Sequence, residues 1–427
     1  MINLKKLSLL SLIVLCLNLT VQAQYVPGAF SLPDVSLLFS NTNPGGTARI
    51  QGIGGAQVSL GGDISSASGN PAGLGFFNRS IISVSPSYNI FDSESIYMSS
   101  LDSDSDTRIN FANVGVVFNN TKDNAEPGAW RGGSFAISIN KVNDFNGRFR
   151  YQGNNSQSSI SDYLADASFG IDESDLGTEF DLIGMAFNSF LISPTGYFKQ
   201  DGFSDEYIPV IYRYNTVDDI FETDQAAYQN EVIESRGGQY AWNFAYGGNF
   251  ADKLYVGASL GLTNIRYELN KSFSEAIEPE SELYNDPIGY DLLINELLAI
   301  DGIGINATVG FIYKPVPFLN VGASFTSPTF INIDEETSAD LFVDYFGQNT
   351  GSYDIFFPVL NETQELDQAN LEGDIYLSEY QITTPFKASA GATFFFGKWG
   401  FVSADFDYIE FSSQRIFSRD FETVDVN

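Results

Sequence analysis

The fold class is indicated by the sequence GIGINATVGFIY at residues 302–313. Every second residue from Ile303 to Phe311 is apolar, and the residues between them are Gly, Asn and Thr. Because successive side chains of a β-strand point to opposite faces of its sheet, this alternation predicts a strand with one apolar face and one polar face. The same alternation recurs in 240–247, 254–262, 319–326 and 402–408. The sequence therefore predicts an all-β protein.

The alternation also fits a soluble β-sandwich, whose inner face is apolar. Strands of about ten residues suit a tilted crossing of a bilayer, and aromatic residues lie towards the ends of the apolar faces. A Lys or Arg at mid-bilayer would cost about 2–4 kcal/mol, and none occurs on these faces before Arg266. We therefore predict a transmembrane antiparallel β-barrel whose nine strands in this chain lie near residues 79–91, 108–119, 130–141, 239–250, 253–267, 301–314, 317–329, 380–396 and 400–411.

The predicted connections alternate between short turns and long loops, as they do in outer-membrane barrels. The long loops hold most of the acidic residues of the chain and span 92–107, 144–237, 268–300 and 330–378. Such acidic loops form either a solvated outer surface or a surface that binds lipopolysaccharide through divalent cations. The alternation predicts a protein of the outer membrane of a Gram-negative bacterium, in contact with lipid and lipopolysaccharide.

The first 23 residues have the layout of a cleavable secretory signal. Lys5 and Lys6 precede an apolar run from Leu7 to Leu19, and the stretch ends on Val21-Gln22-Ala23. The apolar run is too short for a membrane-spanning helix, which needs about 20 residues. Cys16 is the single cysteine and lies inside this stretch, so the mature protein is predicted to contain no thiol.

The chain divides into a signal peptide at 1–23, an N-terminal segment at 24–78 and a barrel at 79–427. An exported barrel whose chain starts in the periplasm contains an even number of strands, because both of its ends then lie on the periplasmic side. Nine strands leave the end outside the cell, and Asp425-Val426-Asn427 lacks the closing aromatic residue of a last barrel strand. We therefore expect the barrel to be incomplete at its C-terminus.

Composition excludes several classes of function. The chain contains no histidine, which removes Ser-His-Asp triads and His-ligated zinc. Its net charge of −33 would repel a polyanion, so nucleic acid is excluded as a partner. We expect no enzymatic activity, no bound metal and no cofactor.

The N-terminal segment differs from the rest of the chain. It is rich in Gly, Ser and Asn, shows little alternation, and contains Gly62-Asp63 and Gly69-Asn70-Pro71-Ala72-Gly73. Pro71 removes a backbone donor and restrains Asn70 to an extended conformation, while the flanking glycines permit turns. The segment is therefore kinked, and the simplest interpretation is a bend into the first strand.

The order of these motifs resembles that of the FadL-type family of outer-membrane transporters of hydrophobic compounds. The similar pieces are Gly54-Gly55-Ala56, Gly62-Asp63, Asn70-Pro71-Ala72 before a strand, Tyr313-Lys314-Pro315, the stretch 322–328, and Thr384-Pro385 with Gly391 and Asp405. The resemblance implies a barrel of about 14 strands, plugged by an N-terminal hatch at 24–78. It also implies that Asn70, Pro71, Ala72 and Gly73 form the hatch element. Hydrophobic small molecules such as long-chain fatty acids would then pass through passively and leave through a gap in the wall.

Two segments of the long loops are candidates for an entry groove. Leu292, Leu293, Leu297 and Leu298 lie in a stretch, 292–300, that is typical of a short apolar helix, and residues 185–192 are also apolar. Both segments could equally be the small cores of their own loops. The loops are acidic where the carboxylate of a fatty acid would favour Lys or Arg.

An alternative function comes from PorV-like barrels, which carry a similar hatch and serve as accessories of protein secretion. In that case the loop at 144–237 would contact an exported protein. A general aqueous porin is disfavoured, because the implied hatch would block its pore. We therefore predict passive uptake of hydrophobic small molecules, with a secretion accessory as the alternative.

Overall fold

A computed structural model of the chain describes residues 32–41, 45–122, 128–177, 181–195, 206–215, 220–279, 288–347, 353–357, 362–366, 368–418 and 424–425. The predicted signal peptide at 1–23 and residues 24–31 of the predicted N-terminal segment lie outside the described residues. Within these ranges, no helix is both long enough and apolar enough to cross a membrane.

The described residues form mostly antiparallel β-strands and few helices, which confirms the predicted all-β class. The strands are β1 Ile81–Tyr97, β2 Ser100–Thr121, β3 Trp130–Asp144, β4 Gly147–Asn155, β5 Ile192–Pro194, β6 Tyr207–Pro209, β7 Arg213–Asn215, β8 Ile220–Glu222, β9 Ala227–Phe250, β10 Leu254–Ile277, β11 Ile288–Val316, β12 Leu319–Thr326, β13 Phe330–Gly347, β14 Tyr353–Phe357, β15 Glu362–Leu366, β16 Ala369–Glu372, β17 Tyr376–Thr383, β18 Lys387–Phe395, β19 Phe401–Ile409, β20 Arg415–Ser418 and β21 Val424–Asp425. The α-helices are α1 Leu32–Ser40, α2 Ala48–Gln51, α3 Ile160–Ala167, α4 Glu173–Leu176 and α5 Leu182–Asn188. Short 3-10 helices span Ile64–Ala67, Pro71–Phe76 and Phe411–Ser413.

Most strands belong to one curled antiparallel sheet. Its neighbouring strands follow the order β1, β2, β3, β9, β10, β11, β13, β17 and β20. At one end of the sheet, β12, β18 and β19 take the places of β13, β17 and β20. Each of the pairs β12 and β13, β17 and β18, and β19 and β20 therefore forms one line of strand with an interruption. β4 continues the line of β3 beside β9 in the same way. The described part of the sheet thus has nine principal lines of strand, although their lengths differ from those predicted.

The sheet has an inner face, on which residues 45–77 pack, and an outer face. Apolar side chains cross the outer face of all nine lines in a stripe that we call the apolar band. The band includes the outward residues of 82–90, 240–250, 254–262, 303–313 and 402–408, and none of these outward residues is charged. Many are strongly exposed, and Ile82 reaches 82%. The inner face of the same stretches carries mainly Gly, Ala, Ser, Asn and Thr.

A row of charged side chains marks one limit of the apolar band. Arg266 is the register partner of Asp301, Asp301 of Asp334, and Asp334 of Glu379, so that the four lie side by side on adjacent strands. Beyond this charged row the two faces exchange polarity. The inner face of β10 continues there with buried apolar residues such as Leu269, while its outer face becomes polar. The apolar band therefore covers only part of the length of the strands.

The predicted outer loop at 92–107 is wrong. β1 and β2 continue through these residues and join in a tight turn at Met98 and Ser99, whose φ angles are 46° and 68°. Their pairing runs unbroken from Pro86 with Phe111 to the turn. Ser and Asp dominate this hairpin, so both of its faces are polar. A search for apolar alternation therefore does not detect the strands.

The other predicted long loops also contain strand. β10 extends to Ile277 and β11 begins at Ile288, so the helix predicted over 292–300 is wrong. The loop predicted at 144–237 includes β4 and about half of β9, and the one predicted at 330–378 includes β13. These strands were missed because their apolar alternation is interrupted, by inner-face charges such as Lys271 and Glu275 in β10 and by apolar residues on both faces of β11 from Leu292 to Ile300.

Two predicted strands are interrupted next to prolines. The strand predicted at 317–329 is β12, which ends before Pro328, and β13 continues its line after the proline. The strand predicted at 380–396 is divided near Pro385 into the end of β17 and β18. Hydroxyl groups of the residues before the prolines make hydrogen bonds between the lines. Ser327 Oγ accepts from Ala307 N at 3.0 Å, and Thr384 Oγ1 accepts from Thr329 N at 2.9 Å. Proline has no N–H, so it is tolerated where the regular ladder is broken.

Much of the region between β4 and β9 folds against the inner face as a loop cap, made of residues 160–177, 181–195 and 206–212. Its core includes Met185, Leu191 and Ile192, which are fully buried. These side chains belong to the same core as Tyr290 of β11 and Tyr345 of β13. The apolar stretch 185–192 is therefore the core of its own loop, which is one of the two alternatives that the sequence leaves open.

A buried carboxylate holds the loop cap to the sheet. Glu275 of β10 is 1% exposed and accepts four hydrogen bonds of 2.5 to 3.0 Å, from Tyr290 Oη, Gln229 Nε2, Ser159 Oγ and Ile160 N. Burial raises the pKa of the Tyr290 hydroxyl, which therefore keeps its proton and donates. A buried charge that is hydrogen-bonded in this way is compatible with a stable fold.

Candidate functional site

The inner segment, residues 45–77, packs on the inner face at the level of the apolar band. Two side chains direct its path by capping the 3-10 helices, whose first N–H groups lack backbone acceptors. Asp63 Oδ1 accepts from Ser65 N at 3.0 Å, and Asn70 Oδ1 accepts from Ala72 N at 3.2 Å. Thr47 Oγ1 also donates to both oxygens of Asp63 at 3.0 Å. The segment thus has a fixed internal structure rather than a simple bend.

Asn70 joins the inner segment to the sheet. Its side chain is buried, and Nδ2 donates to Val58 O at 2.6 Å, to Phe311 O at 3.1 Å and to Ala323 O at 3.3 Å. Val58 belongs to the inner segment, whereas Phe311 and Ala323 lie on β11 and β12. One amide group therefore ties two parts of the inner segment to two neighbouring strands.

The next three residues, Pro71, Ala72 and Gly73, lie very close to the sheet or to the rest of the inner segment. Ala72 is fully buried and packs against β10 and β11. A Cβ atom added to Gly257 of β10 would overlap the backbone of Pro71, and one added to Gly73 would overlap Ser66 Oγ. Glycine at these positions permits the close approach. The structure thus brings the four predicted hatch residues together against the inner face.

A second anchor, at Val58 and Ser59, was missed by the sequence analysis. Asp405 Oδ2 accepts a hydrogen bond from Val58 N at 2.8 Å, and Asn320 Nδ2 donates to Ser59 O at 3.1 Å. The hydroxyls of Ser59 and Thr393 share a hydrogen bond of 2.7 Å. The three partners lie on the inner face of β12, β18 and β19. The sequence signal that could have indicated this anchor is the presence of these three polar side chains among the small inner-face residues of adjacent strands.

The structure does not bring the four predicted groove leucines onto one surface. They lie in β11, where successive side chains point to opposite faces. Leu292 and Leu298 lie on the inner face, and Leu292 is part of the loop-cap core. Leu293 and Leu297 belong to the outer face. The prediction of a common groove depended on a helix, which would have placed the four side chains differently.

A cavity of about 260 Å³ lies between the loop cap and the sheet. β10, β11, β13 and the start of α5 bound it, and much of its apolar lining comes from Leu182, Leu269 and Leu298. Charged groups of Lys271 and Glu335 also face it. Two of the predicted groove residues, Leu297 and Leu298, therefore line an actual cavity, together with residues that the sequence analysis did not select.

The sheet has a gap in its backbone hydrogen bonding between β2 and β3, which we call the wall gap. The ladder that joins the two strands extends from Thr121 only as far as Asn113. Before Asn113, the described part of β2 pairs only with β1. Side chains span the wall gap instead, because Asp144 Oδ2 accepts from Asn89 Nδ2 at 2.6 Å and Asn110 Nδ2 at 3.3 Å. The nearby residues Ile109 and Phe111 still belong to the apolar band.

Among the described residues, no group of three or more Asp, Glu, His or Cys side chains is placed to hold a metal ion. Comparison of the chain with protein-family models, with curated proteins and with solved structures gave no match. The resemblance to the FadL-type family therefore rests on the sequence motifs alone.

Proposed function

We propose that this protein is an outer-membrane β-barrel protein that takes up hydrophobic small molecules passively. The observation that carries the proposal is the apolar band, opposite an inner face of small and polar residues. This distribution is typical of a wall that faces lipid on one side and a polar interior on the other. From Ile303 to Tyr313 the band covers about 33 Å of strand at roughly 3.3 Å per residue. A tilt of roughly 40° reduces this to roughly 25 Å, the height of the apolar band of known barrels.

In this proposal the inner segment is the hatch. Its anchors at Asn70, Val58 and Ser59 hold it across the inner face at the level of the apolar band. A hatch in that place would obstruct a wide aqueous pore. An alkyl chain in a polar lumen would also leave its surface in water at a cost of roughly 0.8 kcal/mol per CH₂. The leucine-lined cavity offers an apolar surface that reduces this cost.

The wall gap is the proposed exit. It is spanned by separate side-chain hydrogen bonds, which can break individually, instead of a continuous strand ladder. It also lies beside the lipid-facing side chains of Ile109 and Phe111. A ligand that leaves there would pass directly from the interior into lipid, without crossing water.

Cross-linking across the wall gap tests this function. The variant carries Asn110→Cys and Asp144→Cys, whose native side chains are in contact, joined by a reducible bifunctional thiol reagent. The matched control carries Val116→Cys and Ile137→Cys, which are register partners in the closed part of β2 and β3. The readout is the uptake of a fluorescent long-chain hydrocarbon by cells that produce each variant.

We expect the bridge across the wall gap to stop uptake and its reduction to restore uptake, while the bridge in the closed part has no effect. Unchanged uptake with the bridge across the wall gap in place would contradict lateral release. Equal uptake by cells with and without the protein would contradict transport itself.

A secretion accessory is the second candidate function, and one observation favours it. Tyr163 and Phe169 of the loop cap are 65% and 68% exposed, and aromatic side chains are enriched at protein interfaces. A protein partner would contact the loop cap through these rings. The combined variant Tyr163→Ser and Phe169→Ser should then lower the amount of exported protein in the medium and leave uptake of the hydrocarbon unchanged. Normal export by this variant would remove the candidate.

A further inference from the structure

The lining and the volume of the cavity beside the loop cap indicate a ligand with an alkyl chain. Leu182, Leu269 and Leu298 supply apolar surface that suits an alkyl chain. The volume is about 260 Å³. At roughly 30 Å³ for each water-sized group, this space encloses roughly nine heavy atoms, which is most of a ten-carbon chain.

The basic side chain of the lining is already paired with a carboxylate. Lys271 Nζ lies 3.5 Å from Glu296 Oε2 on the adjacent strand, and the Lys271 side chain is 11% exposed. A second carboxylate, Glu231, is also near this ammonium group. Burial raises the pKa of Glu231, and Lys271 acts in the opposite direction. An incoming carboxylate would therefore have to compete with groups of the protein for Lys271.

Carboxylates dominate the rest of the charged lining. Besides Glu296, the cavity is bordered by Asp181, Glu335 and Asp374. Glu335 Oε2 accepts a hydrogen bond from Tyr380 Oη at 2.6 Å, while Asp181 caps α5. Several like charges in a partly buried site repel an anion and attract a cation. The lining therefore disfavours a ligand with a carboxylate head group.

We propose that the cavity binds an alkylammonium compound, with its aliphatic chain against the three leucines and its cationic head beside Glu335. This assignment rests on the proposed transport function and narrows the ligand from hydrophobic molecules in general to apolar amines. A fatty acid of the same chain length binds more weakly, because its head group meets the carboxylates of the lining.

Competition among ligands of equal chain length tests the assignment. The protein, in nanodiscs of uncharged lipid at neutral pH, is mixed with equimolar decylamine, decanol and decanoate, and bound adducts are measured by native mass spectrometry. We expect decylamine to bind at least about tenfold more tightly than decanoate, a difference of about 1.4 kcal/mol, with decanol between them. Leu298→Trp, which fills part of the cavity, should remove the adducts.

Two adjacent residues of β13 provide a matched pair of charge variants. Glu335 lines the cavity on the inner face, whereas Glu336 belongs to the outer face. Glu335→Lys should reverse the preference between decylamine and decanoate. Glu336→Lys makes the same change in net charge and should leave the preference as it is. This pair also decides the question if Leu298→Trp does not fold.

The outcomes separate the two proposals. Equal binding of amine and carboxylate, or a preference for decanoate, would overturn the alkylammonium assignment and leave the transport function standing. Equal effects of the two Lys variants would place the ligand outside the cavity and would overturn the assignment as well. Failure of all three ligands to bind would contradict the proposed function.

Discussion

The side chain of Asn70 uses nearly all of its hydrogen-bonding capacity in a buried position. Its two N–H groups are shared among three carbonyl oxygens, and its oxygen accepts from Ala72 N. An aspartate has almost the same shape but would point two oxygens and no donor at the same carbonyls. Replacement of the Asn70 amide by a carboxylate is therefore a small change in structure that removes the link between the inner segment and the sheet.

Asn70→Asp should loosen the inner segment while the sheet stays folded. The loss of the N–H donors and the introduction of an unpaired charge should lower the free energy needed to detach the inner segment from the sheet by about 3 kcal/mol. The population with a detached inner segment should therefore rise roughly a hundredfold. The rate of thiol modification at Ser66→Cys, a buried position, measures this opening. Asn306→Asp serves as the control, because Asn306 bonds Thr329 rather than the inner segment. A rate that does not change in Asn70→Asp would contradict the role of this amide.

Part of this residue-level picture could be predicted from sequence. Pro71 restricts the backbone of Asn70, so the motif 69–73 marks a special conformation. The partners could not be predicted, because Phe311 and Ala323 are far from Asn70 in sequence and only the register of β11 with β12 brings their carbonyls together. Val58 and Ser59 carry no local signal of their contacts with Asn320 and Asp405.

At the scale of the elements, β11 changes its environment along its length. From Ile303 onwards nearly all of its apolar side chains lie on the outer face, with Ile312 on the inner face, and before Ile300 most of them lie on the inner face against the loop cap and α1. The sequence pattern identified the part from Ile303 onwards well, because the inner residues there are mainly Gly, Asn and Thr. It failed in the part before Ile303, since apolar residues on both faces from Leu292 to Ile300 imitate a helix.

Leu298→Asp and Leu293→Asp separate the two faces of β11. Leu298 lines the cavity, so a carboxylate there should weaken binding of an uncharged apolar ligand, decanol, by roughly tenfold or more. Leu293 points to the outer face beyond the charged row, and its substitution should leave binding within about twofold. Titration of each variant in nanodiscs measures both effects. A larger loss in Leu293→Asp than in Leu298→Asp would indicate that the register of β11 is different.

Glu275 allows a test of how the loop cap is attached. Glu275→Ala removes the acceptor of four buried donors and should destabilise the loop cap by roughly 3 kcal/mol. Amide hydrogen exchange in α3 should accelerate, while exchange in residues 254–262 of β10 stays slow. Glu268→Ala, on the outer face of the same strand, is the control. Unchanged exchange in α3 would mean that Glu275 does not anchor the cap.

At the scale of the whole molecule, the distribution of polarity divides the sheet into two regions. One region carries the apolar band outside and the inner segment inside. The other, beyond the row from Arg266 to Glu379, is mainly polar outside and carries most of its apolar residues inside. The alternating pattern predicted the first region and the all-β class. The second region was assigned to loops, because charged residues on its inner face and apolar residues on both faces of β11 interrupt the alternation there.

A pair of arginine substitutions tests whether the apolar band faces lipid. Leu260 lies within the band on β10, and Asn264 lies on the same face near the charged row. Leu260→Arg should destabilise the protein in lipid vesicles by about 2–4 kcal/mol, and Asn264→Arg by about 0–1 kcal/mol. Equilibrium unfolding in urea measures both values. Equal and small effects would contradict a lipid-facing band.

The most direct test of the proposed function is to recover the protein from outer membranes in a mild detergent and to identify by mass spectrometry what remains bound to it. The transport function predicts a hydrophobic small molecule in stoichiometric amount, released in the variant Leu298→Trp. A stoichiometric exported protein, with no small hydrophobic ligand, would contradict it.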